Sequence, residues 1–143
     1  MAWAGPFPEK NPLNARITGT VRREGYVIQN VVFDSRPNYF VSANLYLPSD
    51  MESPGPALLN VIGHAAQGKA DPRYQHMSAN MARKGFVVLT MDGIGQGERR
   101  IDSYQGAGES PSVAHRILGT KAFLSGTHLF NLMIWDAIRA VDY

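Results

Sequence analysis

The chain has 143 residues, enough for one ordinary domain core, and its composition of 44% hydrophobic and 18% charged residues is that of a globular protein rather than a disordered or fibrous one. The 14 lysines and arginines nearly balance the 12 aspartates and glutamates, so the formal net charge of +2 gives no basic field and no nucleic-acid partner is predicted. The absence of cysteine excludes a disulfide framework and a thiol nucleophile.

The amino terminus lacks both the charged and the apolar segment of a secretory signal, and no apolar run is long enough to span a bilayer. No membrane partner is therefore predicted. If Met1 is the native start, a cytoplasmic location is expected; otherwise the compartment is left open.

Residues 1–25 are predicted to form an amino-terminal arm, because three prolines within the first twelve positions each prevent a regular helix or central strand. Two stretches rich in β-branched and aromatic residues follow, Tyr26 to Asp34 and Phe40 to Leu47. A turn-rich break separates them, so they predict an antiparallel hairpin.

The next run, Pro56 to Ile62, is almost continuously apolar, as expected for a strand covered on both faces. Asp71 then supplies an N-cap, the proline after it suits the first helical position, and Gly85 suits the left-handed residue that ends a helix. These signals predict a helix from Pro72 to Lys84. The strand Phe86 to Met91 follows, which completes a right-handed β-α-β crossover and indicates a parallel sheet.

Gly93 to Gly119 has no apolar period and is predicted to be a long functional loop. The final element is a helix that begins near Ser125 or Thr127, because apolar side chains recur at helical spacing as far as Val141.

The sequence contains no G-x-S-x-G turn, so we expect it to stop before the strand that would carry a nucleophilic serine.

Four segments carry a resemblance to a known superfamily: ANLYLP (43–48), LLNVIGHAAQGK (58–69), RKGFVVLTMDGIGQGER (83–99) and WDAIRAVDY (135–143). In this order they resemble the first half of the α/β-hydrolases, specifically the acetyl xylan esterases and the dienelactone hydrolase-like carbohydrate esterases. The resemblance covers residues 26–143. It implies a partial α/β-hydrolase domain in which an antiparallel hairpin leads into a parallel sheet with flanking helices, truncated before the nucleophile strand.

This resemblance implies a serine ester hydrolase whose substrate is a small ester or an acylated carbohydrate. In such enzymes two N–H groups stabilise the oxyanion, and one of them belongs to the loop after the third strand. Here that donor would be the backbone N–H of His64 or Ala65. Gln67, Lys69 and Arg99 are the candidate substrate-binding residues. The nucleophile, acid and catalytic histidine are missing, so this chain alone is expected to be inactive.

Other interpretations of the same residues remain open. Gly63 and Gly68 are also consistent with a simple turn between strand and helix, and Glu98 and Arg99 with ion pairs that hold their own loop. The alternating glycines after the second apolar strand fit a dinucleotide fingerprint poorly, because the third glycine falls one place early.

The four histidines show no pair at the spacing of a metal site, so no metal or other cofactor is predicted. Phe130, Met133 and Trp135 lie on the last predicted helix. Aromatic and methionine side chains on an amphipathic helix belong to the core more often than to a substrate cleft, and a core position is favoured here.

In the strand order of α/β-hydrolases, the strand from Pro56 to Ile62 would lie next to a fifth strand that this chain lacks. An exposed apolar strand edge pairs with other strands. We therefore expect a partner at this edge, either the remaining half of the hydrolase domain or a second copy of the chain. The alternative function is a non-catalytic binding or assembly module that retains half of the fold.

Overall fold

The computed structural model describes residues 6–51, 54–101 and 110–143. Within this part of the chain, five strands form one mixed sheet in the order β1-β2-β3-β5-β4, with three α-helices. The elements in chain order are β1 (Arg16–Arg23), β2 (Tyr26–Arg36), β3 (Tyr39–Pro48), β4 (Ala57–Val61), α1 (Pro72–Arg83), β5 (Val87–Met91), α2 (Pro111–Leu124) and α3 (Leu129–Asp142).

Strands β2 and β3 form the predicted antiparallel hairpin. Asn38, with φ of 59°, supplies the left-handed residue of the turn between them. Strand β1 pairs antiparallel with β2 and extends the hairpin to three strands. The arm predicted for residues 1–25 therefore contains a strand, whose signal is obscured by the prolines that precede it.

The predicted β-α-β crossover is also confirmed, since α1 connects β4 to β5 and these two strands pair in parallel. At the start of α1, Asp71 accepts a hydrogen bond from the Arg73 N–H at 3.0 Å. Hydrogen bonds from the Arg73 side chain and backbone hold the pKa of Asp71 below its ordinary value. The helix ends before Gly85, whose φ is 91°.

Strand β4 lies at the edge of the described sheet, where the α/β-hydrolase resemblance placed it. The prediction that this strand is covered on both faces was wrong. Leu58 is 37% exposed and Val61 is 58% exposed, because β4 is the edge strand of the described sheet and no described strand pairs with its other side. The apolar sequence of β4 is thus typical of a buried strand, whereas the described residues leave this strand exposed at the sheet edge.

The core lies on both faces of the sheet, because successive strand residues point to opposite sides. One cluster includes residues of β2, β3, β5 and α3: Val31, Phe33, Val41, Ala43, Leu89, Met91 and Ala140. The other joins the sheet to α1: Tyr46, Ala79, Ala82 and Val88. The helices α1 and α3 therefore cover opposite faces.

Helix α2 occupies part of the segment that was predicted to be a loop from Gly93 to Gly119. The proline at its first position is a helix-start signal, but Gly119 inside the helix weakened the periodic pattern. Residues 102–109 of the predicted loop lie outside the described residues. None of the helices seen in the described ranges is long and apolar enough to cross a membrane.

Residues 6–15 have no regular secondary structure, but they contact α3. The Phe7 ring stacks on Trp135 with ring centroids 5.5 Å apart. The ammonium of Lys10 lies 2.7 Å from the carboxylate of Asp142, and this hydrogen bond lowers the pKa of Asp142. The described part of the predicted arm is thus held against the helix that ends the chain.

Candidate active site

Two loops leave the carboxyl ends of the parallel strands β4 and β5, and they form the candidate site. We call residues 62–71 the β4 loop and residues 92–101 the β5 loop. Because β4 and β5 are parallel neighbours, both loops emerge at the same end of the sheet. This is the end at which open α/β sheets bind their ligands.

The buried carboxylate of Asp92 joins the two loops. It accepts the backbone N–H of Lys69 at 2.6 Å and the hydroxyl of Ser42 at 2.8 Å, and it lies 2.5 Å from the Lys69 ammonium. Glu98 also pairs with Lys69. Asp92 is fully buried and Lys69 is 6% exposed, so the buried carboxylate depends on this ammonium for neutralisation. The Lys69 ammonium is thus engaged internally, and its role in substrate binding stays a prediction.

Gly68 and Gly97 allow the two loops to approach this carboxylate. Both have positive φ, 58° and 53° respectively. A Cβ atom at either position would overlap the Asp92 side chain. These glycines therefore do more than turn the chain, since they leave room for a buried charge between two backbone segments.

Arg99 holds the β5 loop against α3. Its guanidinium donates to the backbone carbonyl of Asp92 at 3.0 Å and to the carboxylate of Asp136 at 2.9 Å. Asp136 is fully buried, and Arg36 lies 3.6 Å from its other oxygen. Burial raises the pKa of the neighbouring Tyr39, and the positive charge of Arg99 opposes that shift. These contacts agree with the ion-pair interpretation of Arg99, and its role in substrate binding stays a prediction.

An open cavity of about 470 Å³ lies beside the β4 loop. Side chains from both loops and from α2 and α3 line it, together with His128: His64, Gln96, His115, His128, Leu129, Phe130 and Met133. Phe130 is 72% exposed, so the favoured core position was wrong for this residue. The favoured core position is confirmed for Trp135, which is buried and donates its indole N–H to the carbonyl of Ser35 at 2.7 Å.

The three backbone N–H groups at the start of the β4 loop differ in their partners. Gly63 donates to the hydroxyl of Tyr74 at 2.8 Å, and Ala65 donates to the side-chain oxygen of the buried Gln96 at 2.7 Å. The N–H of His64, between them, has no acceptor among the described residues. Of the two predicted oxyanion donors, the N–H of Ala65 is thus bound by a side chain of the protein, and the role of either N–H stays a prediction.

The imidazole rings of His64 and His115 meet in the cavity, with Nε2 of His64 2.9 Å from Nδ1 of His115. Nε2 of His115 lies 2.7 Å from the carbonyl oxygen of Ile94. Because a carbonyl oxygen only accepts, this Nε2 carries a proton. In the neutral pair, His115 thus accepts through Nδ1 and His64 donates. No sequence pattern indicates this contact, because the two histidines lie 51 positions apart.

Gln67 lies apart from this cavity. It lines a second cavity of about 470 Å³, whose other polar side chains are Asn30, Asn44, Lys69, Glu98 and Arg100. The predicted site residues therefore do not converge on one cavity. His64 lines the first, Gln67 and Lys69 line the second, and Arg99 lines neither.

No protein-family model matches the chain. YtaP of Bacillus subtilis (strain 168), which is named as a hydrolase, is 25% identical over 149 residues that cover 97% of this chain and 46% of that protein. Hydrolyase poxO of Penicillium oxalicum is 40% identical over 60 residues, 42% of this chain and 14% of that protein. The chain thus spans about half the length of the first of these relatives.

Solved structures are similar over almost the whole chain. A structure described as an acetyl xylan esterase from Bacteroides fragilis NCTC 9343 has a TM-score of 0.77 and 16% identity, over 98% of this chain and 39% of that one. Methylesterase BT1017 has a TM-score of 0.59 and 21% identity, over 97% of this chain and 28% of that one. The chain has the fold of part of these esterases. The predicted α/β fold and the esterase resemblance are thereby confirmed, and the coverage is consistent with an amino-terminal half.

Proposed function

We propose that these residues form the oxyanion-hole half of a serine ester hydrolase, and that the N–H of His64 stabilises the negative charge on the substrate carbonyl. The proposal rests on the environment of the N–H of His64. This N–H lacks an acceptor within the described ranges, and it belongs to a residue that lines the cavity. The substrate class is a small ester or an acylated carbohydrate.

The chemistry needs a donor that is in place before the reaction begins. Attack on an ester carbonyl moves negative charge onto its oxygen, and a fixed N–H stabilises this charge without further reorganisation. The hydrogen bonds of Gly63 to Tyr74 and of Ala65 to Gln96 fix the backbone on both sides of His64. The intervening N–H of His64 is left without an acceptor among the described residues.

The nucleophile, the general base and the acid would come from polypeptide outside these residues. The unpaired edge of β4 supports this arrangement, because Leu58 and Val61 are exposed there. A further parallel strand would cover them, and the strand-to-helix turn at its carboxyl end would lie beside the β4 loop. We therefore propose the remaining half of the hydrolase domain as the partner at this edge.

The test is hydrolysis of p-nitrophenyl acetate by the protein that contains these residues, with and without a serine-directed phosphonate. We expect activity that the phosphonate abolishes. His64→Pro removes the N–H and should lower kcat about 100-fold or more. His64→Ala keeps the N–H and removes only the imidazole, so it should lower kcat much less.

Ala66→Pro is the matched control, since it places a proline at a second exposed position of the same loop and leaves the N–H of His64 in place. An equal loss of kcat in Ala66→Pro and His64→Pro would contradict the proposal, because distortion of the loop would then explain both. Phosphonate-resistant hydrolysis would also contradict it. A protein without ester hydrolysis that self-associates through β4 would instead favour the assembly module.

A further inference from the structure

We propose that His64 and His115 form a binding site for a Zn²⁺ ion, with Nε2 of His64 and Nδ1 of His115 as its two protein ligands. The site would lie within the cavity beside the β4 loop and next to the N–H of His64. The inference does not rest on the proposed function.

His115 already has the arrangement of a metal ligand. Its Nε2–H donates to the carbonyl of Ile94 at 2.7 Å, so the lone pair of its Nδ1 points towards His64. Metal-binding histidines almost always donate their other ring N–H to a carbonyl, a carboxylate or water, which fixes the ring and makes the ligating nitrogen more basic.

The distance between the two imidazoles is close to what a shared ion needs. At Zn–N bonds of about 2.0–2.1 Å in a tetrahedron, two ligand nitrogens lie roughly 3.3 Å apart. The observed separation is 2.9 Å. The rings would therefore have to separate by only a few tenths of an ångström. His64 is exposed on its loop, so its side chain is free to make this shift.

The chemistry of the cavity selects the class of metal. No group of three or more histidine or carboxylate ligands is found in the part of the chain that the structure describes, so two water molecules would complete the tetrahedron. The cavity of about 470 Å³ has room for both. Imidazole nitrogens favour zinc, copper and nickel, whereas Mg²⁺ and Ca²⁺ need oxygen ligands that these rings do not provide.

The site can be tested by isothermal titration of the untagged protein with ZnCl₂ at about pH 7.5. We expect one saturable site. His64→Ala and His115→Gln should each weaken Zn²⁺ binding at least about tenfold, since the loss of a ligand costs no less than the loss of its supporting hydrogen bond. The glutamine retains an amide donor for the Ile94 carbonyl, so it separates the loss of a ligand from the loss of a hydrogen bond.

His76→Ala is the matched control. His76 is exposed on α1 and lines a different cavity, so its removal should leave Zn²⁺ binding unchanged. Circular dichroism checks that each variant is folded.

Unchanged affinity in both His64→Ala and His115→Gln would overturn the inference, as would a loss of binding in His76→Ala alone. The titration needs no enzymatic activity. Ester hydrolysis without Zn²⁺ binding would therefore contradict this inference only, and Zn²⁺ binding without hydrolysis would contradict only the proposed function.

Discussion

Two side-chain contacts of the β4 loop differ in burial and in charge. The Asp92 cluster is an ion pair between a fully buried carboxylate and an ammonium whose residue is 6% exposed. The contact between His64 and His115 joins two rings in an open cavity. A buried ion pair cannot exchange its partners for water without a large desolvation cost, whereas an exposed imidazole can. The first contact is therefore suited to holding the backbone, and the second to binding a ligand.

The largest effect is expected from Asp92→Ala. This substitution removes one of the two carboxylates that pair with the buried Lys69 ammonium, and it also removes the acceptor that joins the two loops. Breaking a buried ion pair from one side costs about 3–5 kcal/mol of unfolding free energy. Urea denaturation followed by circular dichroism measures this loss.

Asp50→Ala is the control for this prediction, because it removes a carboxylate from an exposed turn. Its unfolding free energy should be close to that of the unchanged protein. If Asp92→Ala were as stable as Asp50→Ala, the Asp92 cluster would not hold the loops. The two contacts of the β4 loop would then not differ in their effect on stability.

A smaller loss is expected from Gly97→Ala. The alanine methyl group would have to displace the Asp92 carboxylate, and its backbone would keep a positive φ. We expect a loss of about 2–4 kcal/mol. Gly126→Ala is the control, since Gly126 also has positive φ but has open space around it. It should cost only the backbone strain, about 1–2 kcal/mol. Equal losses in both variants would show that contact with Asp92 adds nothing.

The parts of the fold that could be predicted carry local signals. Asp71, the proline after it and Gly85 mark the two ends of α1 within the sequence itself, and the apolar runs of β4 and β5 flank that helix. By contrast, β1 is mostly exposed and follows a proline-rich segment, so pairing with β2 rather than its own sequence decides its structure. Strand pairing depends on distant residues, which local patterns do not report.

The candidate site was harder to predict than the fold for the same reason. The β4 loop was identified through its resemblance to esterases, but no sequence pattern indicates that the side chain of Gln96 accepts a hydrogen bond from the N–H of Ala65. Likewise, Lys69 could be taken as a substrate ligand until its pairing with Asp92 was seen. Lys69 and Asp92 are 23 positions apart and meet here because β4 and β5 are neighbours in the sheet.

The smallest effects on stability are expected at the imidazole pair. His64→Ala should change the unfolding free energy by no more than about 0.5 kcal/mol, as is usual for an exposed side chain. His115→Ala should cost about 1 kcal/mol, because the carbonyl of Ile94 also loses its donor. Urea denaturation of both single variants and the double variant gives the interaction energy between the rings. A value above about 1.5 kcal/mol would mean that the pair, like the Asp92 cluster, holds the loop. A value near zero would leave both rings free to exchange their mutual contact for a ligand, as the proposed Zn²⁺ site requires.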